Sequence, residues 1–230
     1  MSYPMTLYIA TTNAGKLREF AGDAASAGIE VLPLPGLKDL PEPVEDATTF
    51  LGNAEIKALA YSLAAPGKLV LADDSGLEVA PLGGEPGVRS ARWAEDAGFL
   101  PDAAEHTAAS MNKDEHNPSC SLSKDERNNA LLLERMKDMR GADRGARYVC
   151  TLVLARDGEI LLRAEGACEG KILDVDSPSE GRGANGFGYD PLFLLPETGL
   201  TAAELAPEAK WQRSHRGRAF RDLLRQLQNA

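Results

Sequence analysis

The sequence is short of basic charge. It holds 25 Lys and Arg against 35 Asp and Glu, a formal net charge of −10 at pH 7. A protein that grips a nucleic-acid backbone needs a basic face, and this composition promises none. A small polyanion needs less: a local cluster of cations, some backbone N–H groups and a metal ion. Acidity therefore argues against a polymer partner and leaves a nucleotide open. Cysteine is scarce too. Cys120, Cys150 and Cys168 form no CxxC pair, which excludes a disulfide framework and a zinc site of the usual spacing. Idle thiols fit a reduced compartment. No apolar run approaches the length of a membrane span. Met1 to Ala10 shows neither a basic start nor a long apolar stretch, so the expectation is a cytoplasmic protein without a membrane partner.

What is present is ordinary for a globular chain: 43% hydrophobic and 26% charged residues over 230 positions. That length can bury a sizeable core. Leu7 to Ala10 reads as a strand, Thr11 to Gly15 as a small polar loop, and Lys16 onward as a helix with Leu17, Phe20, Ala21 and Ala24 at helical spacing. Ile29 to Leu34 reads as a second strand, followed by a proline-rich loop from Pro33 to Pro43. Thr48 to Ala65 reads as a long helix stopped by Pro66-Gly67. Lys68 to Ala72 is expected as a third strand ending in Asp73-Asp74-Ser75-Gly76, and Leu77 to Leu82 as a fourth. Gly98 to Arg127 is a polar excursion, and Asn128 to Met139 a helix. Arg147 to Ala155 and Glu159 to Gly166 flank Asp157-Gly158, a strong hairpin signal. Phe193 to Leu195 is a short strand and Ser214 to Leu227 a terminal helix. The mixture predicts an α/β fold with a mixed sheet, in one domain over 1–230 with a polar insertion at about 98–127.

Four stretches could carry chemistry, and each also has a plain structural reading. Thr11, Thr12, Asn13, Ala14, Gly15 and Lys16 place hydroxyls, an ammonium and helix-end N–H groups where a triphosphate could sit. The stretch is not a P-loop, since GxxxxGK[ST] is absent; it also reads as a capped helix with a surface lysine. Asp73 and Asp74 point to opposite faces if extended, and so have different tasks. Carboxylates at such a place hold Mg²⁺ or take a proton from water; Asp, Ser and Gly also make simple turns. Phe187, Gly188, Tyr189 and Asp190 offer a flat aromatic face beside glycines that admit close approach, or a buried aromatic turn. Lys210, with Ser214, His215 and Arg216, forms a donor cluster that would accept a 6-keto purine and reject adenine, or simply a basic helix start. Glu45 and Lys57 taken singly are ordinary charges.

Their order makes one signal. TTNAGK, Glu45 with TFLGNAEIKA, LADDSGL, GGEPGVRSARW, GANGFGYDPLF, Lys210 and SHRG together resemble the Ham1/ITPase family of non-standard purine triphosphate pyrophosphatases, from Leu7 to about Leu227. The resemblance implies a long central mixed sheet with two lobes around a substrate cleft, hydrolysis of ITP, dITP and XTP to monophosphate and pyrophosphate, Mg²⁺ as cofactor, and a homodimer. Carried over by position, it implies Asp74 as proton acceptor and metal ligand, Glu45 as second metal ligand, and Thr11 to Lys16 on the triphosphate. Lys57 would lie near the phosphates and Ser75 on the substrate. Phe187 to Asp190 would form one wall of the base pocket, with Lys210, His215 and Arg216 opposite. One departure is Gly52, where the family often has Glu before Asn53; another is the length of the 98–127 stretch. A Maf-like pyrophosphatase and a catalytically silent nucleotide binder are the rival readings.

Overall fold

The computed structural model describes residues 5–100, 122–139 and 143–229. Strand β1 (Met5–Ile9) leads into helix α1 (Ala14–Ser26) and back into β2 (Ile29–Pro33), which lies parallel to β1. This is the βαβ unit that an apolar strand followed by a helix-period segment dictates. Helix α2 (Phe50–Ala64) then delivers β3 (Leu69–Val79), parallel to β1 on its other side. The later strands are β4 (Gly145–Arg156), β5 (Glu159–Ile172), β6 (Phe193–Leu195) and β7 (Leu200–Thr201), each antiparallel to the one before. The sheet order is β2-β1-β3-β4-β5-β6-β7. Helices α3 (Trp93–Asp96), α4 (Lys124–Met136), α5 (Pro207–Arg213) and α6 (His215–Gln228) complete the frame. Among the described residues no helix is long and apolar enough to cross a membrane.

Apolar clusters at two ends divide the sheet along its long strands. At one end α1 and α6 cover Leu7, Ile9, Leu71, Leu152 and Leu154 with Phe20, Phe220 and Leu223. On the other face of that end, Ala54 and Ala58 of α2 lie on Ala72 and Val153. At the far end Leu77, Val79 and Ile172 pack with Trp93, Leu132, Met136 and Phe193. Each such side chain contributes about 1.5–3 kcal/mol of transfer free energy, against the entropy of ordering it. β3 runs through both ends, with Leu71 and Ala72 at one and Leu77 and Val79 at the other, and its polar residues Asp73, Asp74 and Ser75 fall between them. The cleft therefore opens where the apolar run of the central strand is interrupted.

Three expectations change. Residues 69–79 form one strand, not two strands separated by an acidic turn. Asp73 pairs with Leu152 and Asp74 with Thr151 on β4, so the ladder continues through the acidic pair. Gly76 is not a turn residue. A Cβ there would lie 2.4 Å from Ser90 Oγ and 2.5 Å from the Gly87 carbonyl oxygen, so a neighbouring segment demands its bare backbone. Second, α4 begins at Lys124, inside the stretch read as a polar excursion. Ser123 and Glu126 cap it reciprocally, a Ser-x-x-Glu signal that the polar composition hid. Residues 101–121 of that stretch lie outside the described residues. Third, α5 was not foreseen; Pro207 opens it at its first turn. The Asp157-Gly158 hairpin is as expected, with φ of 52° and 81°.

Candidate functional site

The alternation of β3 sends its two acids to different faces. Asp73 points toward α1 and α6. Its Oδ2 lies 2.7 Å from Lys16 Nζ, 3.8 Å from Arg216 Nε and 3.3 Å from Ser75 Oγ. Burial opposes its charge, but Lys16, Arg216 and Lys57 outweigh that and hold the carboxyl well below the usual carboxylate range. Arg216 Nη2 also donates to Ser75 Oγ at 2.9 Å, and its Nη1 to Glu19 Oε2 at 3.3 Å. This face gathers four predicted residues: Lys16, Ser75, Arg216 and one of the acidic pair.

Asp74 points toward α2. Its Oδ1 is 3.0 Å from Lys57 Nζ, and the same ammonium is 3.0 Å from Glu45 Oε2. Asn53 Nδ2 donates to Asp74 Oδ2 at 3.3 Å, while Asn53 Oδ1 accepts from Ala47 N at 3.0 Å. Asn53 and Lys57 stand one helical turn apart, hence on one face. The helix is fixed at this end by Thr49, whose side chain accepts from Gly52 N. Burial pushes the Asp74 carboxyl up; Lys57 partly offsets this, while Glu45 and Asp73 add to it. Lys57 loses by burial and gains more from Asp74, Asp73 and Glu45, so its proton is held firmly. Gly52 is explained here. A Cβ at that position would come within 2.6 Å of the Ala47 Cβ, so the tight turn of 47–49 against α2 leaves no room for a side chain.

A cleft of about 370 Å³ lies on the Asp73 side, lined by Lys16, Phe187, Tyr189, Asp190, His215 and Arg216 among others. Its size suits a nucleoside. Phe187 stands at its mouth, with Lys210 Nζ 5.5 Å and the Arg216 guanidinium 5.2 Å from the ring centre. Asp190 Oδ2 accepts both from Lys210 Nζ at 2.7 Å and from Phe187 N at 2.9 Å, which ties the two walls together. His215 stacks on Tyr148 with ring centres 4.8 Å apart. Burial, then Arg216 and Lys210, push its pKa well below the usual imidazole value, so it is neutral at pH 7. The side chain of Ser214 caps α6 by accepting from Gly217 N, which sets His215 and Arg216 on the first turn.

The Thr11 to Lys16 stretch divides. Asn13 Oδ1 caps α1 by accepting from Gly15 N and Lys16 N at 2.8 and 3.3 Å, and Thr11 Oγ1 accepts from Asn13 N. Asn13 and Lys16 line the main cleft. Thr11 and Thr12 line a separate cleft of about 340 Å³ with Pro33 and Leu37. Ala14 and Gly15 form the first turn of α1.

The sequence reading passed over Asn53, Glu19 and the binding partners that Asp73 acquires. Asn53 carried a signal, since Asn and Lys at i and i+4 share a helix face. Glu19 carried none; it is brought to Arg216 across 197 positions. Among the described residues no group of three or more His, Cys, Asp or Glu is placed to hold a metal. Glu45 and Asp74 nonetheless direct two carboxylates at one cation position. Hard oxygen donors in that number are what Mg²⁺ uses when phosphates complete its shell.

A mixed sheet carrying a nucleoside-sized cleft, with cations on one side of the central strand and a carboxylate pair on the other, defines an α/β protein built to hold a small polyanion. The particular family follows from comparison. The Ham1 family model matches residues 7–226, and the chain belongs to that family. It is 51% identical over 223 residues to a dITP/XTP pyrophosphatase of Acidobacterium capsulatum, covering 97% of this chain and 98% of the relative. A dITP/XTP pyrophosphatase of Thermus thermophilus is 43% identical over 220 residues, covering 96% and 90%. Among solved structures, a HAM1 protein from Coxiella burnetii aligns with a TM-score of 0.75 at 31% identity, over 98% of this chain and all of that one. The Staphylococcus aureus Ham1 protein aligns with a TM-score of 0.72 at 32% identity, over 97% and 98%.

Proposed function

We propose that this chain is a nucleoside triphosphate pyrophosphohydrolase. It converts ITP, dITP and XTP to the monophosphate and pyrophosphate, and so removes non-standard purines from the nucleotide pool. The observation that carries the reading is the convergence of Glu45 and Asp74 on one cation position, each 3.0 Å from Lys57 Nζ, across β3 from the cleft walled by Phe187. The dITP/XTP pyrophosphatase relatives support it.

The charge inventory supports Mg²⁺ as cofactor. Lys16, Lys57, Lys210 and Arg216 are already paired with Asp73, Asp74, Glu45, Asp190 and Glu19. The carboxylates outnumber these cations by one, so the ion pairs by themselves leave no net positive charge for a triphosphate. Glu45 and Asp74 would hold Mg²⁺, which would supply positive charge and Lewis-acid polarisation of phosphate oxygens. Asp74, raised by burial, takes the proton of the attacking water. Lys16 and Lys57 stabilise the charge that gathers on the leaving pyrophosphate. Asn53 holds the orientation of Asp74 throughout. At the base end, Lys210 and the first turn of α6 present donors to the 6-keto edge, and an adenine amino group there would leave donors facing donors. We further propose a homodimer, acting in the cytoplasm, with no nucleic-acid polymer as partner.

The test is pyrophosphate release from ITP and XTP beside ATP and GTP, with and without Mg²⁺. The expected result is metal-dependent release from ITP and XTP with ATP and GTP nearly inert. Equal turnover of all four would support a Maf-like pyrophosphatase instead. Orthophosphate as sole product would mean that a different bond is cut.

A further inference from the structure

Helix α4, whose first residues Lys124 and Asp125 lie at the rim of the same cleft, holds both the N–H and the C=O of Gly188. Asp125 Oδ2 accepts from Gly188 N at 2.7 Å, and Asn129 Nδ2 donates to the Gly188 carbonyl oxygen at 3.1 Å. The two residues are one turn apart and so share a helix face. Gly188 has φ +65°, left-handed backbone that glycine adopts without the steric cost a Cβ would bring. Its chain neighbour is Phe187, the aromatic wall of the cleft.

The helix that supplies this grip is itself immobilised. Asn128, buried, accepts from Ala94 N at 2.9 Å and donates to the Ser90 carbonyl oxygen at 3.3 Å. Tyr189 Oη donates to the same Ser90 oxygen at 2.9 Å. At the other end of α4 the buried Arg144 guanidinium donates to the Met136 and Met139 carbonyls and to those of Ile172 and Leu173 on the sheet side. A rigid element that holds the N–H of the Phe187–Gly188 peptide and the C=O of the Gly188–Tyr189 peptide fixes the two peptide planes on either side of the Gly188 Cα.

We propose that Asp125 and Asn129 are positioning residues for base recognition, acting through Gly188 to hold Phe187 at the spacing a flat purine requires. This rests on the proposed function, because it takes the cleft beside Phe187 as the base site. The two grips differ in weight. Asn129 is 7% exposed, whereas Asp125 is solvent-exposed. A buried hydrogen bond left half-made costs more than an exposed one. Asn129 therefore dominates. An acid at 129 would set a carboxylate against a carbonyl oxygen, which is worse than simple removal.

The experiment is equilibrium calorimetry on the full chain with Mg²⁺, using IMP and pyrophosphate separately. Neither can be cleaved by the proposed reaction, so binding is read without turnover. Asn129→Ala should weaken IMP about tenfold, from the loss of a part-buried hydrogen bond, with pyrophosphate unchanged. Asn129→Asp should weaken IMP further, and Asp125→Ala less, about threefold. Equal weakening of IMP and pyrophosphate would overturn the proposal, because α4 would then be a general structural support. Unchanged IMP binding in Asn129→Ala or Asp125→Ala would overturn it as well. Should Asn129→Ala fail to fold, Asp125→Ala, at an exposed position, carries the same IMP-against-pyrophosphate comparison. ITP turnover by the unmodified protein is a separate control; its failure strikes the proposed activity, whereas the split between IMP and pyrophosphate strikes the grip.

Discussion

Lys57 Nζ lies 3.0 Å from Asp74 Oδ1, and both groups are largely withdrawn from water, at 13% and 14% side-chain exposure. The ammonium is shared with Glu45. Replacing Lys57 with Met leaves two carboxylates facing each other with no cation between them. Breaking one side of a buried pair in this way costs about 3 kcal/mol. Chemical denaturation in the absence of divalent metal should show a loss of that order. A variant as stable as the parent would mean that the pair is solvated enough to do without its cation.

Asp74→Asn keeps the shape and the hydrogen bond from Asn53 but removes the proton acceptor. Turnover should fall by a factor of about 10² to 10⁴, the usual worth of a general base. Nucleotide binding should survive. Steady-state rates paired with a binding titration give both numbers. Normal turnover would remove Asp74 from its role.

Gly76→Ala tests the close approach beneath the cleft. The added methyl would meet Ser90 Oγ at 2.4 Å and the Gly87 carbonyl at 2.5 Å, and the second is backbone that cannot swing aside. A loss of about 1–3 kcal/mol is expected, as for other overpacked sites. The midpoint of thermal or urea unfolding reads it directly. An unchanged midpoint would show that the 87–90 segment yields freely.

His215 gives stability a pH dependence of known sign. Its folded pKa lies well below the ordinary value of 6.5 because of burial and the nearby Arg216 and Lys210. Above pH 6.5 neither folded nor unfolded chain holds the proton, and the residue contributes no slope. Below it the unfolded chain takes up a proton that the folded chain refuses. Stability therefore falls as pH drops, by up to about 1.4 kcal/mol per unit. His215→Asn should flatten the stability curve between pH 6.5 and 5 by that amount. Parallel curves for the two proteins would show that the imidazole is protonated in the folded state.

Several features were legible because they rest on local chemistry. A strand followed by a helix pattern gave the βαβ start, and Asp157-Gly158 gave the hairpin, since left-handed backbone at consecutive positions favours those residues. Period-2 alternation alone sent Asp73 and Asp74 to opposite faces. The order of the motifs fixed the family, which the match over residues 7–226 shows. Other features were beyond local reading. Acid, acid, serine and glycine are all turn formers, and a strand passes through them here because β4 satisfies their backbone while Lys16 and Arg216 on one face and Lys57 and Asn53 on the other take up their side chains. The composition of residues 98–127 masked the first turn of α4 for the same reason: polarity does not distinguish a solvated helix start from a loop.

The amino-acid sequence by itself determined the alternation of the central strand, the capping of the helices, the hairpin and the identity of the charged groups. These depend on backbone sterics and on contacts a few residues apart. Tertiary structure decided how those charges are paired. Lys16 reaches Asp73 across 57 positions, Arg216 reaches Glu19 across 197, and Asn129 reaches Gly188 across 59. Such distances in sequence carry no periodic signal. Folding brings these groups together because the sheet and its helices must bury their apolar faces, and the polar residues meet where that burial leaves a cleft.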